Sequence, residues 1–176
     1  MISTFGICVS LALAFPSKEP RRSAASESPS QESRSRLRDD NCAILKFDKR
    51  LMAEIGKYEG ATITQADYPT IDSLLSMKVG EYNLAQSRQL AEDRKTMPDV
   101  DSASYFIDLS RYKIQLVGLA GKTGERLAYV NCVGRHYEDF WRTRLISMLD
   151  GGNSFFHLFV DLDRKIAIGF RVNGEA

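Results

Sequence analysis

The chain has 176 residues, of which 43% are hydrophobic and 27% charged, and its 24 Lys and Arg against 23 Asp and Glu give a net charge of +1. These values are typical of a soluble globular protein, and they exclude a polytopic membrane protein, a coiled coil, a collagen-like chain and a fully disordered chain. The near-zero charge argues against nucleic acid as a partner, because a general polyanion binder carries a basic excess.

The first 14 residues are predicted to be a signal peptide. They contain no charged side chain, and Ala12-Leu13-Ala14 matches the small-x-small pattern of a cleavage site. The apolar stretch is shorter than the ~20 residues that span a bilayer, so no transmembrane span is expected after cleavage. Because no Lys or Arg precedes the apolar stretch, a misassigned start or a buried apolar segment is the alternative. The favoured interpretation is an exported protein.

Residues 15–41 form a predicted disordered linker that is rich in serine and charge. Seven serines and three of the chain's five prolines fall here, and Leu37 is the only large apolar residue after Pro16. Such a stretch cannot bury enough apolar surface to offset the entropy of ordering. It holds six basic and five acidic residues, so 18 of each remain in the single domain predicted for residues 42–176. The linker either spaces the domain from an envelope surface or is a dispensable tail.

The first part of the domain predicts one long helix. Residues 42–63 fit either a short strand followed by a helical turn or one irregular helix. A helix is then predicted from about Ala66 to Leu84, with Thr64 and Asp67 at the spacing of a capping box. Its apolar residues recur at helical spacing and form one stripe: Ile71, Leu74, Leu75, Val79 and Tyr82.

In the second half of the chain the period of the pattern changes to two, which is typical of half-buried strands. The run Tyr112–Leu116 alternates apolar and polar residues, with Lys113 and Gln115 on the polar side. Residues 121–124 predict a turn, and Leu127–Val133 predicts the partner strand of a hairpin. The alternation predicts a sheet with one face in the core and one face in water.

The last part of the chain predicts further antiparallel strands. Residues 137–149 fit helical spacing as well as a strand, but Asp150-Gly151-Gly152-Asn153 is a strong hairpin signal. We therefore interpret Arg142–Leu149 and Ser154–Leu162 as a hairpin, followed by a last strand over Ile166–Val172. Consecutive strands with short connections usually pair. The predicted fold is α+β, with one long N-terminal helix packed on an antiparallel meander of about five strands.

Several runs in the C-terminal half carry a resemblance to other proteins. They are Ile107–Gln115, Tyr129–Cys132, Phe140–Arg142, Asp150–Phe156 and the closing Val172-Asn173-Gly174-Glu175-Ala176. On these runs residues 64–176 resemble a group of small uncharacterised bacterial exported or lipid-anchored proteins. The resemblance implies strands on both sides of Gly151 and a periplasmic or cell-envelope location, and it implies no activity. A helix on a curved antiparallel sheet also resembles the cystatin-like folds, an analogy of fold alone.

No catalytic set, metal site or cofactor motif stands out in the sequence. Cys132 and His136 could form a nucleophilic or zinc-binding pair. Zinc needs further ligands, however, and no other cluster of Cys and His exists, so a core cysteine followed by a loop histidine is favoured. His157 alternates with Phe156 and Leu158 and is expected to be a partly buried, hydrogen-bonded side chain.

Two cysteines, Cys42 and Cys132, remain after the predicted cleavage. In an oxidising compartment they could form a disulfide, which would close a long loop and stabilise the domain by about 3–5 kcal/mol. The alternative is two separate buried thiols that pack as small apolar side chains.

A stretch that combines arginine with aromatic side chains, the types enriched at interfaces, is the candidate binding surface: Arg135, His136, Tyr137 and Arg142. Trp141, the only tryptophan, is expected to fill the core between helix and sheet. The sequence therefore predicts a non-enzymatic exported domain that binds another protein or an envelope component. The alternative is a small-ligand pocket or a hydrolase-like site near His157.

Overall fold

A computed structural model describes residues 36–52, 56–134, 140–148 and 150–174. These segments form one α+β domain with one long helix and a mixed, mostly antiparallel sheet. None of their helices is long and apolar enough to cross a bilayer. The predicted signal peptide, residues 1–14, and most of the predicted linker lie outside the described residues.

Six strands make up the sheet: β1 (Cys42–Leu45), β2 (Glu59–Gly60), β3 (Tyr112–Ala120), β4 (Arg126–Gly134), β5 (Phe155–Asp161) and β6 (Ile166–Val172). Their order is β1-β3-β4-β5-β6, and the last four are antiparallel neighbours, as the meander predicts. β1 is parallel to β3, and β2 pairs with the far end of the same β3 edge. A helical turn, α1 (Lys49–Met52), follows β1. Of the two alternatives for residues 42–63, the structure therefore has the short strand followed by a helical turn.

The long helix, α2 (Tyr68–Asp93), begins beside its capping signal. The Asp67 carboxylate accepts a hydrogen bond from the Thr64 N–H at 2.9 Å and another from the guanidinium of Arg126 at 2.9 Å. Arg126 belongs to β4, so these contacts tie the start of the helix to the sheet. Pro69 lies in the first turn, where its missing N–H breaks no helical hydrogen bond.

The apolar stripe of α2 packs on the sheet, with Ile71 and Leu75 fully buried. The helix extends past the predicted end at Leu84, and Leu90 is the one buried residue of that extension. The Asn83 amide clamps the loop after the helix, because it donates to the Ile107 carbonyl and accepts from the Ile107 N–H, both at 2.9 Å.

Both faces of the sheet are buried. The face covered by α2, here called the helix face, carries the larger core. The opposite face carries a second, smaller core of Leu45, Val117, Leu119, Leu127 and Tyr129. The prediction of a face in water is wrong for the centre of the sheet, since Gln115 is 0% exposed. Residues 140–148, which we call the strap, cross this face, so we call it the strap face.

The predicted strand Arg142–Leu149 is wrong. Its described residues form a turn and then an extended segment that pairs with no strand. They cannot be the hairpin partner of β5, because β4 and β6 occupy both edges of β5. Gly151 and Gly152 do make a turn, with φ of 109° and 53°, but this turn joins the strap to β5.

The folded part begins no later than Arg36, within the predicted linker. Leu37 is buried in the helix-face core. The Arg36 N–H donates to the Asp72 carboxylate of α2 at 2.6 Å, and Lys113 of β3 donates to the Asp40 carbonyl at 3.1 Å. Residues 36–41 therefore pack on both the helix and the sheet before β1 begins.

Candidate functional site

One buried side chain holds the strap on the sheet. The Gln115 amide nitrogen donates to the carbonyl oxygens of Trp141 and Arg144, both at 2.6 Å, and its amide oxygen accepts from the Ile146 N–H at 3.0 Å. The contacts at Arg144 and Ile146 flank Leu145, whose side chain packs on the strap-face core. A glutamine of β3 thus fixes the backbone on both sides of Leu145.

Asn131 of β4 lies directly across from Gln115 and completes the network. Its amide nitrogen donates to the Gln115 amide oxygen at 2.9 Å and to the Ile146 carbonyl at 2.8 Å. Gln115 therefore uses both its donors and both its acceptor positions. The backbone N–H and C=O of Ile146 are both hydrogen-bonded, as they would be in a β-strand. Their partners, however, are the side chains of Gln115 and Asn131 rather than the backbone of a neighbouring strand. Because Asn131 is only 5% exposed, a lost partner here costs about 1–3 kcal/mol.

A cleft of about 700 Å³ opens between the strap and the turn after β1. Its volume falls within the ~300–1,000 Å³ typical of small-molecule sites. It is lined by Leu45, Lys46, Phe47, Asp48, Lys49, Val117, Thr143, Arg144 and Leu145. Val117 belongs to the buried strap-face core and forms the floor. Since Gln115 binds the backbone at Arg144, the same network that holds the strap also positions one wall of the cleft.

The charged residues at the rim of the cleft are mostly basic: Lys46, Lys49 and Arg144, with Asp48 as the one acid among its lining residues. The Asp48 carboxylate accepts from the N–H of Arg50 at 2.8 Å, within its own turn. The Lys49 ammonium pairs with the exposed Glu59 carboxylate at 3.0 Å. Within the part of the chain that the structure describes, Lys46 and Arg144 have no ion-pair partner, so basic side chains outnumber the one acid among the lining residues.

Arg142 is the member of the predicted binding surface that the structure describes; Arg135, His136 and Tyr137 lie outside the described residues. The Arg142 guanidinium lies 4.3 Å from the centroid of the Trp141 ring, and the Lys113 ammonium lies 5.2 Å from it. Trp141 is buried, as predicted. It packs on the strap face, however, rather than between helix and sheet, and the two cations cover its ring.

His157 lies on the strap face of β5 and does not line the cleft. Its ring centroid is 5.6 Å from that of Tyr129 and 6.2 Å from that of Phe159. Burial, together with the positive charge of Arg171, lowers the pKa of His157 from its usual 6.5, so the imidazole is neutral at pH 7. The side chain is half-buried, as expected, but within the described segments it has no hydrogen bond.

Cys42 and Cys132 are free thiols, so the disulfide that the sequence left open is not formed. Both residues pair with Ile114, one from each side, which puts them two strands, or roughly 9.5 Å, apart. A disulfide requires Cα atoms within about 7 Å. Burial raises the pKa of the Cys42 thiol to about 11 and that of Cys132 well above its usual range, so both stay protonated and unreactive at pH 7.

Within residues 36–52, 56–134, 140–148 and 150–174, no three His, Cys, Asp or Glu side chains are grouped so that they could hold a metal ion. The cleft on the strap face combines basic side chains at its rim with apolar side chains of the strap-face core.

Sequence reasoning missed the cleft: Arg142, the described member of the predicted binding surface, precedes the lining residue Thr143 in the chain and does not itself line the cleft. Its basic rim comes from Lys46 and Arg144, which are 98 positions apart in the chain and have no motif in common. One signal was available for the network that shapes it. Gln115 and Asn131 are amides among apolar neighbours on the two strands of the predicted hairpin, and the observed register places them opposite each other.

Comparison with known proteins found no match: no family model, curated protein or solved structure is similar to this chain.

Proposed function

We propose that the chain is a non-enzymatic binding domain, exported to the bacterial cell envelope, that takes its partner in the strap-face cleft. The cleft carries the proposal, because its volume of about 700 Å³ is in the range of small-molecule sites and it combines apolar side chains with basic side chains at the rim. Its wall is held by the amide of Gln115, all of whose donor and acceptor positions are bonded, and such preorganisation lowers the entropy lost on binding.

The proposed location rests on the sequence. The uncharged residues 1–14 with their small-x-small end support export, and the serine-rich stretch that follows supports a spacer between the domain and an envelope surface. The resemblance of residues 64–176 to small bacterial exported proteins points the same way. The combination of one long helix with a mostly antiparallel sheet supports the proposal of a cystatin-like fold, and the parallel strand β1 is an addition to that plan.

The state of His157 favours a second candidate, a pocket or hydrolase-like site on the same face. A neutral imidazole at pH 7 can accept a proton, and its neighbours Tyr129 and Phe159 give it an apolar setting. A hydrolytic base also needs an orienting partner, and the described part of the chain gives His157 no hydrogen bond to a carboxylate. The cleft is therefore the first candidate.

Backbone amide NMR of the ¹⁵N-labelled full chain tests the proposal, with the low-molecular-mass fraction of a bacterial envelope extract as the probe. Amide shifts at Leu45, Val117 and Leu145 are expected. Shifts confined to the neighbourhood of His157 would favour the second candidate, and an unchanged spectrum would overturn both.

A matched pair of variants locates the binding. Thr143→Trp puts a bulky ring at the rim of the cleft and is expected to abolish the shifts. Ser87→Trp puts the same ring on the exposed side of α2 and is expected to leave them unchanged. Equal shifts in both variants would contradict binding in the cleft.

A further inference from the structure

The cleft joins two chemically different surfaces. Leu45, Val117 and Leu145 present aliphatic side chains from β1, β3 and the strap, and all three belong to one apolar cluster. Lys46 and Arg144 are the immediate chain neighbours of two of these residues. An occupant of the cleft therefore meets aliphatic surface and positive charge within one residue of each other on both walls.

Among the described residues, the positive charge at the rim is available to a ligand. Arg144 lies over the Phe140 ring, with its guanidinium 5.8 Å from the ring centroid, and no described residue accepts a hydrogen bond from that guanidinium. Lys46 is exposed and has no ion pair within the described segments. By contrast, the nearby Lys49 is paired with Glu59. Guanidinium and ammonium groups at such positions bind carboxylate or phosphate oxygens, with arginine able to make two parallel hydrogen bonds.

The position of Arg144 is set by the fold. Its carbonyl oxygen is held at 2.6 Å by Gln115, and the next side chain, Leu145, is anchored in the apolar cluster. On the opposite wall Leu45 is the last residue of β1, in register with Val117. The two cations therefore start from fixed backbone positions on either side of the floor.

We propose that the cleft binds an amphipathic organic anion. Its carboxylate or phosphate group is held by Arg144 and Lys46, and its hydrocarbon part covers Leu45, Val117 and Leu145. Burying hydrocarbon contributes about 0.8 kcal/mol per methylene, so affinity requires both parts. This inference rests on the proposed function, because it names the class of ligand for the same cleft.

Titration of the full chain with decanoate, followed by amide NMR and calorimetry, tests the ligand class. Decyl phosphate, decanol and inorganic phosphate are the comparison probes. Saturable binding is expected for decanoate and decyl phosphate, with shifts at Leu45, Val117 and Leu145. Decanol lacks the charge and inorganic phosphate lacks the hydrocarbon, so each is expected to bind at least about tenfold more weakly.

Charge-neutral variants test the two cations. Arg144→Gln and Lys46→Gln are each expected to weaken decanoate binding about five- to tenfold, while decanol binding stays unchanged. Arg171→Gln removes an exposed cation on β6, outside the cleft, and is expected to leave both affinities unchanged. An unchanged Ile146 amide shift in the free variants shows that the strap is still in place.

Three outcomes would overturn the inference: decanol binding as tightly as decanoate, inorganic phosphate binding as tightly as either anion, or an equal effect of Arg171→Gln and Arg144→Gln. If the envelope extract still shifts the cleft residues in any of these cases, the ligand class fails and the binding function stands. If neither the extract nor any probe shifts them, both fail.

Discussion

The two faces of the sheet are buried by different means. On the helix face, α2 covers a large and mainly apolar core around Leu75, Leu116 and Phe156, which is held chiefly by non-directional burial. On the strap face a smaller apolar cluster lies beside Gln115 and Asn131, whose amides bind the strap through oriented hydrogen bonds. The comparison teaches that polar residues on alternate strand positions do not by themselves mark a face in water.

The two faces also differ in the space that they leave for a ligand. A close-packed apolar core leaves little space for a ligand. A segment bound mainly through its backbone can leave space beside its side chains, and the cleft borders the strap at Thr143, Arg144 and Leu145. The strap face therefore combines a buried core with a cleft of about 700 Å³.

The largest expected effect comes from breaking the helix face. Leu75→Ala removes a fully buried side chain and is expected to lower the free energy of unfolding by about 2–5 kcal/mol, because the lost burial adds to the cost of the cavity. Urea denaturation measures it. Met77→Ala, on the exposed side of the same helix, is expected to change the free energy by less than about 0.5 kcal/mol. Similar losses for both would mean that α2 is not packed as described.

A smaller and more local effect is expected from Gln115→Met, which keeps the size of the side chain and removes its hydrogen bonds. Trp141, Arg144 and Ile146 each lose a partner, at about 1–3 kcal/mol per buried group. In the variant the strap can detach from the sheet, and water can then bind its backbone groups. The loss in the free energy of unfolding therefore cannot exceed the free energy with which the strap binds the sheet. We expect a loss of about 1–3 kcal/mol and faster hydrogen exchange at the Ile146 amide, while the amide of Leu116 on β3 keeps its protection.

Gln89→Met is the matched control, because Gln89 makes a single exposed contact with Asp93 on α2. It is expected to change the free energy of unfolding by less than about 0.5 kcal/mol. Hydrogen exchange at the Ile146 amide is expected to stay the same. If Gln115→Met instead accelerates exchange equally at Leu116 and Ile146, the two faces open as one unit and the distinction between them does not hold.

The smallest expected effect concerns the pH response of the strap face. The pKa of His157 is lowered by burial and by Arg171, so the folded state favours the neutral ring. The resulting stability is present above pH 6.5 and is lost as the pH falls through the folded pKa. An NMR titration of the His157 ring is expected to give a pKa below 6.5.

Two variants at position 171 sharpen this test. Arg171→Gln is expected to raise the pKa of His157 towards 6.5, and Arg171→Lys, which keeps the charge, is expected to keep it low. A pKa of 6.5 or above in the unaltered protein would contradict the described burial.

The hairpin, the last strand and the long helix could be predicted because their residue patterns are local in the sequence. The period of two gave the hairpin of β3 and β4 and the strand β6, and the stripe at Ile71, Leu75 and Val79 gave the helix. The alternation in Arg142–Leu149 predicted a strand that does not form. Of the alternating residues only Leu145 packs on the strap-face core. A strand also needs a free sheet edge, which a local pattern does not reveal.

The candidate site depended on contacts that no local pattern contains. The parallel pairing of β1 with β3 brings Leu45 beside Val117, and the strap brings Arg144 to the same place. Their sequence separations are large, and the partner of each is chosen by topology. Arg142 was predicted to belong to a binding surface because its neighbours in the sequence are aromatic. Lys46 follows a short strand, as many surface lysines do, so nothing in the sequence distinguishes it.

Cys42 and Cys132, which flank Ile114 in the sheet, can report how fast two parts of the sheet open. Each thiol is buried and protonated, so an alkylating reagent can modify it only while its part of the sheet is open. Cys42 lies on β1 at the margin of the sheet, and Cys132 lies on the central strand β4. The ratio of their labelling rates therefore compares detachment of one short strand with unfolding of the whole sheet, with no added probe.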